Sequence, residues 1–140
     1  MFKLTKIEGG RINVFEPQVL PVGSSAVVFG QGLVLTDGAL VSAGAGKPTY
    51  IALADSTYTV TDEFGSTTTK SRASISVGRV ESNQVYETTF SAAPTGVKVG
   101  AKVTLAGGLT VTATTSNGVA EIVDLCGASA VGDKVLVRFS

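Results

Sequence analysis

Histidine is missing from this 140-residue sequence, and cysteine occurs once, at Cys126. Without histidine, no side chain has an unperturbed pKa near neutral pH, which removes the Ser-His catalytic triad and most transition-metal sites. One cysteine makes no disulfide within the chain and cannot build a structural zinc site. We expect Cys126 to be a small buried apolar residue and not a nucleophile, because no histidine is present to activate it.

Charge is sparse, and tryptophan is absent. Eleven basic and eleven acidic residues cancel, and charged residues make up 16% of the chain. No block of like charge is present, and the tyrosines are not interleaved with basic residues, so nucleic-acid binding is not expected. The most basic stretch, "TTTKSR" (67–72), is expected to be a solvated loop.

Long apolar runs are missing as well. No segment approaches the ~18 consecutive apolar residues of a transmembrane helix. The first residues contain no apolar run long enough for a signal peptide. We therefore expect no membrane partner and synthesis in the cytoplasm.

Short alternating segments separated by glycine make up most of the chain. Glycine accounts for 17 residues, and segments such as "LTVTATT" (109–115) and "KVLVRF" (134–139) alternate with period two. Alternation rich in β-branched residues is typical of half-buried strands. The sequence predicts an all-β fold, a small antiparallel β-barrel or sandwich with Gly-rich turns and at most one short helix.

The candidate helix lies between Val119 and Cys126. Four residues share a face at helical spacing: Val119, Ile122, Val123 and Cys126. Asn117 could cap the helix, and Gly127 could end it. The same segment also reads as a strand. The pattern leaves both open.

The N-terminal segment, residues 1–21, differs in composition from residues 22–140, which we interpret as a single β domain. Proline at both ends of "PQVLP" (17–21) disfavours a central strand. We interpret residues 1–21 as an N-terminal arm or edge segment. A first strand followed by an irregular connector is the alternative.

The stretch "SAGAGKPTY" (42–50) looks like the end of a phosphate-binding loop, which requires Gly, four residues, then Gly-Lys-Ser/Thr. Gly46 and Lys47 supply the final pair, but Val41 stands in place of the first glycine and Pro48 in place of the hydroxyl residue. Proline lacks a backbone N–H and cannot lie inside the helix that follows such a loop. We predict a turn before a strand and no cofactor.

Most acidic residues lie in turn-like sequences, as in "TDG" (36–38), "ADS" (54–56) and "VGDK" (131–134). Aspartate there accepts hydrogen bonds from nearby backbone N–H groups and stabilises the turn. No spacing matches a calcium loop, so no metal site is predicted. The sequence leaves open two carboxylates facing each other across a cleft, as in a glycosidase, but we expect no enzyme and no catalytic residue.

Three segments follow a recognisable order. "VLPVGSSAVVFGQGLVLTDGALV" (19–41) is a Val-Gly-rich strand followed by a glycine hairpin, and "GKPTYIALADS" (46–56) is a short strand after Gly-x-Pro. The tail (96–139) runs from "GVKVGAKV" through a Thr-rich strand and "GVA" to "GDKVLVRF". Together they resemble the small capsid decoration (cement) proteins of tailed bacteriophages. The N-terminal segment and residues 59–90 depart from that pattern.

The resemblance implies a structural virion protein with no catalytic residues. Such a protein binds the major capsid protein on the outer surface of the phage head, stabilises the lattice and often forms a homotrimer. We expect capsid or subunit contacts from the N-terminal arm, through Phe2, Lys3, Arg11 and Phe15, because the composition changes near Pro21.

The alternative is a head fibre or surface adhesin-type β domain that binds a host receptor or glycan. It predicts exposed aromatic residues grouped on one surface, either Phe64 with Tyr58 or Phe90 with Tyr86.

Overall fold

The structure, a computed structural model, describes residues 1–9 and 17–140. Every regular element in these ranges is a β-strand, which confirms the all-β class. The strands are β1 Lys3–Ile7, β2 Pro17–Pro21, β3 Gly32–Thr36, β4 Ala39–Ser42, β5 Tyr50–Ala52, β6 Thr57–Thr61, β7 Thr67–Ser71, β8 Ser74–Arg79, β9 Gln84–Thr89, β10 Lys102–Val103, β11 Leu105–Ala106, β12 Thr110–Val111, β13 Ala120–Asp124 and β14 Lys134–Phe139.

Two five-stranded antiparallel sheets organise the chain, an arrangement consistent with a small β sandwich. The first sheet has the strand order β1-β9-β14-β13-β10, and the second has the order β2-β8-β5-β3-β4. The pairs β6–β7 and β11–β12 form two-stranded sheets. In the second sheet the two end strands approach each other, since Val22, just after β2, bridges to Leu40 in β4.

The segment that could have been a helix is strand β13. It pairs with β14, with Ala120 opposite Phe139 and Ile122 opposite Val137. Ala120 and Ile122 are fully buried, whereas Glu121 between them is partly exposed. This burial has the period of two that a strand requires. The strand interpretation is therefore correct. Pairing with β14 stabilises the strand, whereas a short helix would be marginally stable by itself.

The N-terminal segment contributes an end strand to each sheet. Among the described strands, β1 pairs only with β9, and β2 pairs only with β8. Pro17 and Pro21 begin and end β2, a position that tolerates residues without a backbone N–H. Residues 10–16 lie outside the described ranges.

The core divides into two apolar clusters. In the first, Phe2, Tyr86 and Phe139 form a group of mutually inclined rings, with centroids 5.3 to 6.5 Å apart. The second cluster, on the other sheet, contains Val27, Leu33, Leu40, Ala52, Ile75 and Val77. Each sheet thus has a buried face, as its alternating sequence requires.

The glycine stretch at residues 42–50 joins the second sheet to the β11–β12 hairpin. Gly108 donates its N–H to the carbonyl oxygen of Gly44 at 2.9 Å, and the Ser42 hydroxyl donates to the carbonyl oxygen of Gly107 at 3.0 Å. β5 begins at Tyr50, directly after this turn. The stretch is a turn before a strand, as predicted, and it also fastens two parts of the fold together.

Candidate interaction surface

The β6–β7 hairpin is the most exposed element of the described chain. Its five residue pairs run from Thr57 opposite Ser71 to Thr61 opposite Thr67, and neither strand pairs with a third one. None of its ten strand residues is buried. Five residues per strand at ~3.4 Å each give a ribbon about 17 Å long. A two-stranded ribbon with both faces in water is marginally stable by itself.

The expected solvated loop at residues 67–72 is in fact largely strand β7. "TYTVT" (57–61) and "TTTKS" (67–71) are two β-branched runs on either side of a turn that contains glycine. That arrangement is a hairpin signal. The hairpin signal is present in the sequence, and the two positive charges of residues 67–72 do not prevent strand formation.

The base of the hairpin is fixed to the body of the protein. Arg72 donates its N–H to the carbonyl oxygen of Ser56 at 2.7 Å. Ser56 is buried, and its hydroxyl accepts a hydrogen bond of 2.7 Å from the N–H of Val27. The Arg72 guanidinium carbon lies 4.8 Å from the centre of the Tyr58 ring, a cation–π distance. The hairpin therefore leaves the body in a defined direction.

The tip of the hairpin presents Phe64 to solvent. The Asp62 carboxylate accepts hydrogen bonds from the N–H groups of Phe64 and Ser66, both at 2.9 Å. The N–H of Gly65 donates to the carbonyl oxygen of Asp62 at 3.1 Å. Phe64 is 88% exposed. The turn is thus organised by backbone hydrogen bonds, while its aromatic side chain contacts little else.

An apolar side of the hairpin adjoins this tip. Tyr58 and Val60 are two residues apart on β6, so they lie on the same face of the ribbon. Both side chains are 40% exposed.

An apolar cavity of about 330 Å³ lies beside strands β1 and β5. Phe29 is 46% exposed, and Lys3 is the only charged residue of the lining among the residues that the structure describes. The lining residues are Phe2, Lys3, Leu4, Phe29, Ile51, Ala52, Leu53 and Tyr86. No signal in the sequence predicts this cavity, because residues far apart in the chain form it.

Tyr86 lines the cavity, and its hydroxyl is hydrogen-bonded to the side chain of Gln84. The hydroxyl donates to the side-chain oxygen of Gln84 at 2.6 Å, and that oxygen also accepts from the N–H of Glu81 at 2.8 Å. Burial, followed by the nearby charge of Glu81, raises the pKa of Tyr86 well above its usual value. The phenol therefore stays neutral, and its polar end is satisfied by hydrogen bonds.

The proposed contact residues of the N-terminal segment have different surroundings. Phe2 is 2% exposed and packs in the aromatic cluster, so its side chain is not available on the surface. Lys3 is exposed and lies beside the cavity. Arg11 and Phe15 lie outside the described residues. In a sequence, an apolar residue before an edge strand is compatible with burial and with a surface contact. Here Phe2 is buried, because its ring packs on Tyr86 and Phe139 of the first sheet.

A second exposed apolar surface lies at one end of the first sheet; we call residues 96–100 and 125–133 the loop end. β10 and β14 both pair antiparallel with β13, so both begin at the same end of the sheet. Val99 and Val131 each stand three residues before one of these strands. They are 62% and 64% exposed.

The expectation that Cys126, at this loop end, is buried is wrong. The residue is exposed and has a positive φ of 53°, in the turn that follows β13. Its N–H donates to the Asp124 carboxylate at 2.8 Å. Partial desolvation and then the Asp124 charge raise the pKa of the thiol, which keeps it protonated and poorly nucleophilic.

Several aspartates stabilise turns as predicted. The Asp133 carboxylate accepts from the N–H groups of Ser129 and Ala130 at 2.8 and 2.9 Å, and that of Asp55 accepts from the N–H of Phe29 at 2.7 Å. The two hydrogen bonds lower the pKa of Asp133. These carboxylates serve backbone geometry.

Two glutamates share one arginine on the first sheet. Arg138 donates to the Glu121 carboxylate at 2.9 and 3.2 Å and to that of Glu8 at 3.0 Å. Hydrogen bonding to Arg138 is the main cause that lowers the pKa of Glu121. A glycosidase acid needs a raised pKa, so Glu121 has the opposite character. Within the described ranges no three Asp, Glu or Cys side chains are placed to hold a metal ion.

No protein-family model matches the chain, and no curated protein is significantly similar to it. In the part of the chain that the structure describes, no helix has the length and apolar character to span a membrane.

Proposed function

We propose that this chain is a structural virion protein, a decoration or cement protein that binds the outer surface of a tailed-phage head and stabilises the capsid lattice. The major capsid protein is its partner, and the protein acts as a homotrimer. It carries no catalytic residue and no cofactor, and binds neither nucleic acid nor membrane. The resemblance of residues 19–41, 46–56 and 96–139 to the cement proteins supports this function.

The β6–β7 hairpin is the observation that carries the proposed role in an assembly, although it lies mostly in the residues (59–90) that depart from the cement-protein pattern. None of the ten strand residues of this ribbon is buried, and Phe64 at its tip is exposed. Packing within its own chain therefore stabilises the ribbon little. Its apolar side chains become useful when a neighbouring molecule covers them. A protein with a formal net charge of zero also has little electrostatic repulsion against close packing in an assembly.

The loop end supplies a surface for the capsid that is separate from the hairpin. Val99 and Val131 are both exposed there, and neither belongs to the hairpin. A ligand that binds only the assembled lattice stabilises that lattice by mass action. Three such surfaces on a trimer bind more tightly than one, since the later contacts are intramolecular.

Light scattering and co-sedimentation with emptied heads of the phage that encodes the chain test this function. We expect saturable binding and heads that resist disruption at higher temperature. Replacing Val99 and Val131 by aspartate should weaken binding at least tenfold, about 1.4 kcal/mol. Val19→Asp is the matched control, because Val19 is 69% exposed on β2. No binding by the wild-type protein would contradict the proposal.

Lys3 is tested by Lys3→Ala, and the arm by Arg11→Ala and Phe15→Ala. Deletion of residues 1–16 is unsuitable, because it removes strand β1 and the core residue Phe2. A loss of capsid binding in a folded point variant would locate a contact in this segment.

The head fibre or adhesin alternative is favoured by one observation. Phe64 and Tyr58 are exposed on the same hairpin, as that function requires, whereas Phe90 and Tyr86 are buried. Exposed aromatic rings pack against sugar rings and against protein equally well. Glycan-array binding that is lost in Phe64→Ala, without affinity for emptied heads, would favour the alternative.

A further inference from the structure

The chain carries an exposed aromatic side chain and an apolar cavity that it does not itself fill. Phe64, at the tip of the β6–β7 hairpin, is 88% exposed. The cavity between β1 and β5 has a volume of about 330 Å³ and is lined almost entirely by apolar side chains. Phe64 leaves its ring in water, and the cavity lining leaves Phe29 46% exposed, so contact between the two features would remove apolar surface from water on both sides.

The sizes of the two features agree. Pockets that hold organic groups range from ~300 to ~1,000 Å³, so the cavity is at the small end, suited to one ring and not to a long peptide. A phenylalanine side chain buries about 150–250 Å² when it is enclosed. Phe29, half exposed in the cavity lining, would be covered by the tip that enters.

Each of the two features carries a charged side chain without an ion pair in the described ranges, and the two charges are opposite in sign. Glu63 precedes Phe64 at the tip and makes no ion pair with the described residues, whereas Asp62 is engaged with backbone N–H groups. Lys3 is the charged residue of the cavity lining, is exposed, and likewise makes no ion pair in the described ranges. A tip seated in the cavity brings these two unpaired charges together.

The two features cannot meet within one copy as the chain is folded. The hairpin base is fixed at Ser56 and Arg72, and the ribbon extends about 17 Å from that base. Phe64 is therefore not seated in the cavity of its own chain, as its exposure shows.

We infer that the hairpin tip of one copy inserts Phe64 into the cavity of a second copy, with Glu63 paired to Lys3 at the cavity. The contact joins two different surfaces, so it is head-to-tail, and copies related by a threefold rotation would close into a ring with three equivalent contacts. This gives the homotrimer of the proposed function a specific contact. It concerns self-association alone and does not depend on binding to a capsid.

A fluorescence experiment tests the insertion directly. The chain contains no tryptophan, so Phe64→Trp creates a single reporter at the tip. We expect its emission to shift to the blue as the protein concentration rises through the range of self-association measured by sedimentation. Emission that stays typical of water in the oligomer would overturn the inference, since another surface would then hold the copies together.

Charge reversal tests the pairing. Lys3→Glu and Glu63→Lys should each weaken self-association about tenfold, and the double variant should recover most of that loss. Both residues are exposed, so these variants are expected to fold. Phe64→Ala should weaken association about 30-fold or more, as for a central aromatic residue of an interface. Additive losses in the double variant would contradict the pairing.

The experiments also separate this inference from the proposed function. A trimer that Phe64→Ala dissociates, but that never binds emptied heads, supports the inference and contradicts the decoration role. A wild-type chain that stays monomeric at high concentration contradicts the inference. So does a Phe64→Ala variant that remains trimeric and loses only capsid binding, because the tip then contacts the capsid protein.

Discussion

Gly32 and Gly108 lie backbone to backbone where the second sheet meets the β11–β12 hairpin. The N–H of Gly32 donates to the carbonyl oxygen of Gly108 at 2.6 Å. A Cβ atom on Gly108 would lie 2.6 Å from the carbonyl oxygen of Gly32, closer than real Cβ contacts. Glycine is required here for close approach as well as for the positive φ of 70°.

Gly108→Ala is expected to destabilise the protein more than Gly107→Ala. Both residues have positive φ, which costs alanine about 1 kcal/mol. Gly107 has open space around a new Cβ, whereas Gly108 meets the Gly32 backbone, so only Gly108→Ala also displaces the junction. Urea denaturation of the two variants measures the difference. Equal midpoints would show that the Gly32 backbone can move away from a Cβ at position 108 without a loss of unfolding free energy.

Phe139→Ala is expected to cost about 3–5 kcal/mol, because it empties the centre of the first core cluster. The ring is fully buried and lies 5.3 Å from Phe2 and 5.6 Å from Tyr86, centroid to centroid. The same substitution at Phe64 is the matched control and should change stability by less than about 0.5 kcal/mol in the monomer. Thermal unfolding at a low protein concentration compares them. A large loss in Phe64→Ala would mean that the tip packs on its own chain.

Glu121→Gln is expected to reduce the acid sensitivity of the protein. Arg138 lowers the pKa of Glu121 in the folded state from its ordinary value of 4.5. The ion pair therefore stabilises the fold above about pH 4.5, and this contribution is lost as the pH falls through the lowered pKa. The wild type should lose more stability than the variant between about pH 6 and about pH 3.

Glu63→Gln, compared at a protein concentration low enough to keep the protein monomeric, is the control, because the Glu63 side chain makes no ion pair in the described ranges. Its loss of stability on acidification should match that of the wild type. Parallel stability profiles for wild type and Glu121→Gln, measured by urea denaturation at each pH, would contradict the role of the ion pair.

Asp62→Ala is expected to loosen the hairpin tip without changing global stability. The carboxylate holds the N–H groups of Phe64 and Ser66, and each such hydrogen bond contributes about 1 kcal/mol locally. Amide hydrogen exchange should accelerate roughly tenfold at those two residues. Asp62→Asn keeps an acceptor oxygen and should preserve most of the protection. Unchanged exchange in the alanine variant would show that the strand pairing alone fixes the tip.

The sequence predicts local structure well where one physical rule dominates. Alternation in "KVLVRF" (134–139) predicts β14, and Pro48 excludes the helix that a nucleotide loop needs. The sequence of Val119–Cys126 is compatible with both a helix and a strand. Pairing with β14 decides between them, and that partner is not visible from the segment itself.

The sequence by itself determined the all-β class, the turn at residues 42–50 and the turn-forming role of the aspartates. Each of these follows from steric and hydrogen-bonding rules that act over a few residues. Only the tertiary structure decided that Phe2 is buried, that Cys126 is exposed, and that a cavity forms near Lys3. Burial and cavities depend on which strands become neighbours, and contacts between residues far apart in the chain fix that choice.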